Sequence, residues 1–300
     1  SSQPPGIFRV RTNFPSAPFQ SIRGIPFLTS SALAHTSVTM WVGQLFLDGL
    51  ILTSDFCTLG TFLSLAYKLH TTRSGAGLSV QSMVTVVGAR CLHLLSHFMR
   101  LHYLPAVVPW VCYPAMDIIN ALAGVGLMLI FAMKFYHTYD REKDDFGIHV
   151  LKKLDLLPER GPLSGGPFVA STFLYSCIGF LALLWYGVRR SHSSFWVSYF
   201  CCYYEVMGAV ALIPQLMMFQ KDKRVSPALA NFVVLTAVNR LCTLIFWIAY
   251  PRVYTWRYPD NRGIQMASEA LNLLILSDFL YYWVRSKVRG DKEVIIGDVV

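Results

Sequence analysis

Seven stretches of roughly 20 predominantly apolar residues recur along this chain of 300 residues, and no other feature constrains the fold as much. The hydrocarbon core of a bilayer is about 30 Å thick, which one such stretch crosses as a helix. The spans are drawn at Phe46–Leu69, Val80–Phe98, Val107–Phe131, Phe168–Tyr186, Phe195–Phe219, Ala228–Ala249 and Gly263–Val284. Only 14% of the residues are charged, against about 25% in an ordinary soluble domain, so there is little water-facing surface to cover. The reading is an all-α membrane protein with one compact domain of seven transmembrane helices over residues 40–292 and a C-terminal tail over 285–300.

The net charge of +9 does not point to nucleic acid, because the basic residues lie between the apolar stretches and form no stripe on a soluble domain. In that position Lys and Arg set topology. With seven spans, the side holding the breaks after spans one, three and five and the C-terminal tail carries 15 Lys and Arg. The other side carries 6, or 9 with the N-terminal segment. The C-terminus is therefore expected in the cytosol and the start of the fold in the lumen or outside. Residues 1–39 hold three Arg, many Ser and Pro, and no acid. They are set apart from the fold as a disordered or targeting segment, or as an extension ahead of a start at Met40. The seven cysteines all fall within apolar stretches and show no CxxC spacing, so neither a disulfide framework nor a cysteine metal site is expected. The break Lys134–Gly166 is read as a solvated loop separating three helices from four.

Two of the 26 basic residues fall inside spans, Arg90 in the second and Arg240 in the sixth. An arginine in the bilayer is costly and persists where it faces protein, a partner or water. The two occupy equivalent middle positions of two helix triplets joined by a linker helix, as in repeat-built transporters with a site between the halves. Arg90, His93 and His97 fall at i, i+3 and i+7 and share one face. A guanidinium between two imidazoles attracts an anion, more strongly in mild acid. The plainer alternatives are pairing of each arginine with a carboxylate such as Asp48, Asp55, Asp117, Glu205, Glu269 or Asp278, and hydrogen bonding of the histidines to neighbouring helices. His93 and His97 lack a third metal ligand, no catalytic set stands out, and no cofactor is expected. In the fifth span Pro214 and Gln215 mark a kink or hinge. Glu205, beside Cys201 and Cys202, reads as an ion-pair partner. The aromatic pairs Tyr203/Tyr204 and Tyr281/Tyr282 read as interface belts.

Several segments carry a resemblance. Thr72-Arg73-Ser74-Gly75-Ala76-Gly77-Leu78-Ser79, Lys134-Phe135-Tyr136-His137-Thr138-Tyr139-Asp140, Ala211-Leu212-Ile213-Pro214-Gln215-Leu216 and Ser277-Asp278-Phe279 resemble, in order, segments of the ER lumen protein-retaining (KDEL) receptor family. The likeness covers roughly Leu50–Lys292. It implies a SWEET/PQ-loop-like pair of three-helix bundles that binds the C-terminal KDEL/HDEL tetrapeptide of ER proteins in the acidic Golgi lumen and returns them to the ER through the COPI coat. It further implies that Arg90 binds the signal, that Arg240 and Trp247 stand at the pocket, and that Asp278 serves retrograde transport. Lys287, Arg289 and Lys292 then form a coat-read tail. The chain departs from the family pattern at Ile51, Thr58, Gly208 and Tyr250, where the family carries an arginine, a pH-sensing histidine, a glutamate and an arginine. Arg252 and Glu205 lie near two of these positions, and His93 replaces an aspartate. The expected partners are a C-terminal tetrapeptide, the COPI coat and the bilayer. The competing reading is a SWEET/PQ-loop-type small-solute transporter.

Overall fold

A computed structural model describes residues 30–101, 112–148, 167–188, 195–253 and 262–297. The chain divides into two compact units, 1–42 and 43–300. Of the first, residues 30–42 are described and are helical. Helix α1 runs Ser30–Thr72, α2 Val80–Leu101 and α3 Cys112–Ile130, the last continued by a π turn at Phe131–Phe135 and a 3-10 turn at Tyr136–Thr138. Helix α4 follows at Pro167–Val188, α5 at Phe195–Val210, α6 at Ile213–Asp222, α7 at Pro227–Val253 and α8 at Arg262–Arg289. Helices therefore stand at every expected span, with α5 and α6 sharing the fifth, and α1 starts well ahead of Phe46. Among the described residues, four stretches are long and apolar enough to cross a membrane: Val42–Thr72, Ala115–Thr138, Ser198–Asp222 and Pro227–Val253. Val80–Ser96 and Phe173–Gly187 are apolar but shorter.

Burial is distributed as a bilayer would require. Leu45, Leu63, Leu122, Phe180 and Leu274 are exposed, whereas Ser54, Asp55, Thr58, Asp117, Asn120, Asn239, Glu269 and Asn272 are buried. In lipid the outside of a bundle has no polar solvent, so polar groups turn inward to one another. The apolar core lies toward one end, around Phe62, Leu65, Leu69, Phe131, Phe219, Phe232 and Phe279.

That end is closed by the resembling segments acting together. The Ser79 hydroxyl caps α2, accepting from the Ser82 N–H at 3.1 Å and donating to Asp144 Oδ1 at 2.7 Å. Asp144 Oδ2 accepts from the Gln81 N–H at 3.2 Å and from the Tyr139 hydroxyl. A carboxylate at a helix N-terminus is also favoured by the helix dipole. Asp144 is buried, so the expected solvated loop instead docks here by its first part; residues 149–166 lie outside the described residues. Burial, with Asp144 beside it, pushes the Tyr139 phenol well above its usual range. Gly75 admits no side chain, because a Cβ there would lie 2.8 Å from the Phe131 ring and 3.0 Å from the Phe135 carbonyl. Its N–H donates to Thr138 at 2.7 Å.

The expected kink lies at Ala211–Leu212, between α5 and α6, with Pro214 in the first turn of α6. The wholly buried Gln215 joins the two halves of the chain. Its Oε1 accepts from the Ser79 N–H at 2.7 Å, its Nε2 donates to the Gly77 carbonyl at 2.8 Å, and its own N–H donates to Ser82 Oγ at 2.9 Å. Gln215→Ala would strand a buried donor and a buried acceptor. At about 1–3 kcal/mol for each unsatisfied group, we expect a loss of roughly 2–6 kcal/mol, read as a lowered unfolding midpoint of the chain in detergent.

The described residues are helical apart from turns and one short ladder, which qualifies the all-α expectation. Strand β1 (Arg224–Val225) pairs antiparallel with β2 (Val294–Ile295). Gly290 (φ 79°) ends α8 with the Asp291 N–H donating to Ser286 at 3.0 Å, an αL stop. The following residues fold back, burying Val294 and Ile296. The expected tail is thus docked over 294–296, and Lys287 and Arg289 stand on the last turn of α8.

Candidate functional site

The arginines read from the sequence face one small cavity. It measures about 30 Å³ and is lined by Arg90, Arg240, Thr58, Thr61, Thr236 and Asn239 among others. Arg90 Nη2 donates to Thr58 Oγ1 at 2.8 Å. Asn239 Nδ2 donates to the same oxygen and to the Ser54 carbonyl at 3.0 Å. Thr58 returns its own proton to the Ser54 carbonyl at 3.1 Å, and Thr61 and Thr236 likewise donate to carbonyls of their own helices. The threonines therefore present lone pairs to the cavity while the guanidiniums present protons. The space suits one or two waters and no peptide, so entry of a larger ligand requires the helices to part.

Arg240 is paired. Its Nη1 donates to Glu269 Oε1 at 3.0 Å and Oε2 at 3.1 Å, and its Nη2 to the Gly208 carbonyl at 3.3 Å. Gly208 makes this possible, since a Cβ there would lie 2.9 Å from Nη2. Asn272 Nδ2 adds bonds to the Gly208 and Ala209 carbonyls at 3.0 Å each. Glu205 is buried, within electrostatic reach of Glu269 and both arginines and hydrogen-bonded to Gln265. Among the described residues, Arg90 makes the single bond to Thr58 and has no carboxylate within ion-pair distance. Asp55, Asp117 and Glu269 attract it from farther off while Arg240 repels it.

His93, one turn along α2 from Arg90, holds Asp117 Oδ1 at 3.4 Å and packs edge-on against Tyr204, ring centres 5.1 Å apart. Tyr204 is buried, which corrects its reading as an interface-belt residue. The His97 side chain lies outside the described residues. Trp247 and Arg252 do not line the cavity. Trp247 packs against Phe246 at 5.0 Å and its carbonyl accepts from Arg262 Nε at 3.0 Å, while Arg252 is exposed on the last turn of α7. Asp278 is exposed and, with Leu216, Gln220, Tyr282 and Ile296, lines a second cavity of about 200 Å³ between α6, α8 and the docked tail. Pro214 and Gln215 belong to the closed end, and Lys287, Arg289 and Lys292 are exposed. Among the described residues, no three His, Cys, Asp or Glu side chains gather as a metal would require.

Sequence reasoning named Thr58 and Gly208 as departures from the family pattern without a role of their own, missed Asn239, and left Glu269 as one acid among six. The signals were present. Ser54, Thr58 and Thr61 form a polar stripe at i+4 and i+7 in an apolar helix, and Glu269, Asn272 and Ser268 share a face of α8.

The apolar exterior and the inward arginines define a helical membrane protein with a buried charged site. Its family follows from sequence comparison: the pattern of the ER lumen protein retaining receptor family matches residues 74–250, and the chain belongs to that family. It is 28% identical over 245 residues to the ER lumen protein-retaining receptor of Dictyostelium discoideum, covering 80% of this chain and 95% of the relative. Receptor B of Arabidopsis thaliana is 24% identical over 246 residues, 78% of this chain and 93% of that one. Receptor 2 of Homo sapiens is 24% identical over 244 residues, with 80% and 95% covered.

Proposed function

We propose that this protein is a retrieval receptor for soluble ER proteins, binding a KDEL/HDEL-like C-terminal signal on the lumenal side of the Golgi membrane and returning its cargo to the ER through COPI vesicles. The observation that carries this reading is Arg90, a guanidinium in the interior of a membrane bundle with one hydrogen bond and no ion pair among the described residues. Such a group is stabilised by an incoming carboxylate, which every peptide C-terminus supplies. In this reading all seven helical segments span the bilayer as two three-helix bundles. The chain enters them from the lumen, and the Gln215 end faces the cytosol.

Arg252 and Trp247, toward the other end of α7, meet the ligand at the lumenal mouth. Glu205 and Asp278 respond to occupancy, and the coat reads Lys287, Arg289 and Lys292. His93 and His97 supply the pH dependence. Protonated in the Golgi, His93 satisfies Asp117 and leaves Arg90 to the ligand; near-neutral ER pH reverses this. A SWEET/PQ-loop-type transporter needs a passage at both ends, and the Gln215 network supports the receptor instead.

The test is binding of a labelled peptide ending in HDEL to the full chain in nanodiscs, at about pH 5.5 and about pH 7.4, on either side of the ordinary histidine range. We expect binding at the lower pH, lost when the C-terminus is amidated, and a flattened pH profile when His93 and His97 are both changed to Ala. Binding indifferent to amidation would overturn the reading.

A further inference from the structure

Asp278 interrupts an apolar outer face of α8. Leu271 and Leu274, seven and four residues before it, and Tyr281, three after it, are exposed as it is, and residues so spaced share one face of a helix. Arg289 ends α8, so at 1.5 Å per residue Asp278 lies about 16 Å of helix in from that end. Among the described residues it makes no hydrogen bond and no ion pair. Ser277 beside it donates to the Leu274 carbonyl of its own helix at 2.7 Å. A carboxylate at such a depth in a bilayer is costly and is retained where a cation or water meets it.

The cavity beside Asp278, about 200 Å³, is far roomier than the one between the arginines. Its walls are apolar, with Ile213, Leu216 and Met217 from α6 and Ile275 and Phe279 from α8, and Asp278 is the one charged group that lines it. An apolar slot with a single carboxylate suits an alkyl stem that ends in a cation. Lysine and arginine side chains have that form, an apolar stem beneath a charged head.

The cation has to come from within the membrane and from another molecule. Both in-span arginines of this chain face the small interior cavity, so a second copy brings no counter-charge to the outer face. Lipid amines stay at headgroup level, outside the hydrocarbon core. We propose that this face of α8 docks the transmembrane helix of a partner protein, whose lysine or arginine is received by Asp278 and the cavity beside it. The proposal adds a membrane partner to the receptor reading and rests on α8 crossing the bilayer, as that reading has it.

The test is lateral association in phosphatidylcholine vesicles, read by energy transfer between the labelled full chain and a synthetic leucine–alanine transmembrane peptide with one central lysine. This peptide is expected to associate about tenfold more tightly than the same peptide with leucine or glutamate there, a difference of one decade. Asp278→Asn should remove the preference. Asp278→Lys should transfer it to the glutamate peptide, a reversal that a merely structural role would not produce. Equal association of the lysine and leucine peptides overturns the proposal, as does a preference that survives Asp278→Asn. Transfer between two labelled copies of the chain that Asp278→Asn abolishes would give the face to a second copy instead. Loss of the lysine preference on adding phosphatidylethanolamine would give it to a lipid headgroup, and either result also overturns the proposal. Binding of the HDEL peptide in the same vesicles reports on the receptor reading separately.

Discussion

Arg90→Ala is expected to weaken binding of a C-terminal retrieval peptide by about 100-fold or more while leaving the chain folded. Removing one partner of a desolvated, hydrogen-bonded charge pair costs about 2–5 kcal/mol, and each 1.4 kcal/mol is a decade of affinity. The fold should tolerate the change because Arg90 donates to Thr58 alone among the described residues, and its longer-range attraction to Asp55, Asp117 and Glu269 is opposed by repulsion from Arg240. Arg90→Lys should recover part of the affinity, since it restores a charge without the planar fork that grips a carboxylate at two points. Titration calorimetry with a free-acid peptide, together with the detergent unfolding midpoint, separates the two effects. An Arg90→Ala protein that binds within threefold of the original would remove this residue from the site.

Glu269→Ala should do the opposite, damaging stability first. It strands the Arg240 guanidinium, leaving it, among the described residues, the Gly208 carbonyl at 3.3 Å as its hydrogen-bond acceptor. Breaking one side of a buried ion pair costs about 3–5 kcal/mol, whereas replacing both sides with apolar residues is often neutral. The double change Arg240→Met with Glu269→Leu is therefore expected to regain most of the midpoint that Glu269→Ala loses. Equal losses in the single and double variants would mean that the pair contributes nothing beyond packing. Glu205, within reach of Arg240, is the one acid positioned to blunt the loss, and adding Glu205→Gln should deepen it.

The helices themselves were legible because each is a local apolar run, and the inward arginines because charge in such a run has few explanations. The choice of partner was not legible. Periodicity places Arg240 on a face of its helix without saying which of the neighbouring helices supplies the carboxylate. The resemblance implies a glutamate at position 208; here Gly208 gives Arg240 room, and Glu269 of α8 carries the charge that pairs with it. Gln215 shows the same limit. Its sequence neighbourhood marked a kink, but its hydrogen bonds reach Ser79 and Gly77, far away along the chain. The break Lys134–Gly166 read as solvated because it is polar, yet Asp144 within it caps α2.

The closed end has a consequence for the membrane as a barrier. A bundle lined inside with hydroxyls, amides and carboxyls is a short step from a proton wire, and in an acidified organelle such a wire would dissipate the gradient that the pumps maintain. The file of polar groups that begins near His93 and passes Arg90 and Thr58 stops at Phe62 and Leu212, which wall the small cavity. Below them Gln215 and Asp144 bond to Ser79, Gln81 and their neighbours, with Gln215 wholly buried and Asp144 nearly so. In the receptor reading this layer would be electrical insulation, holding charges deep in the bilayer without a proton leak across it.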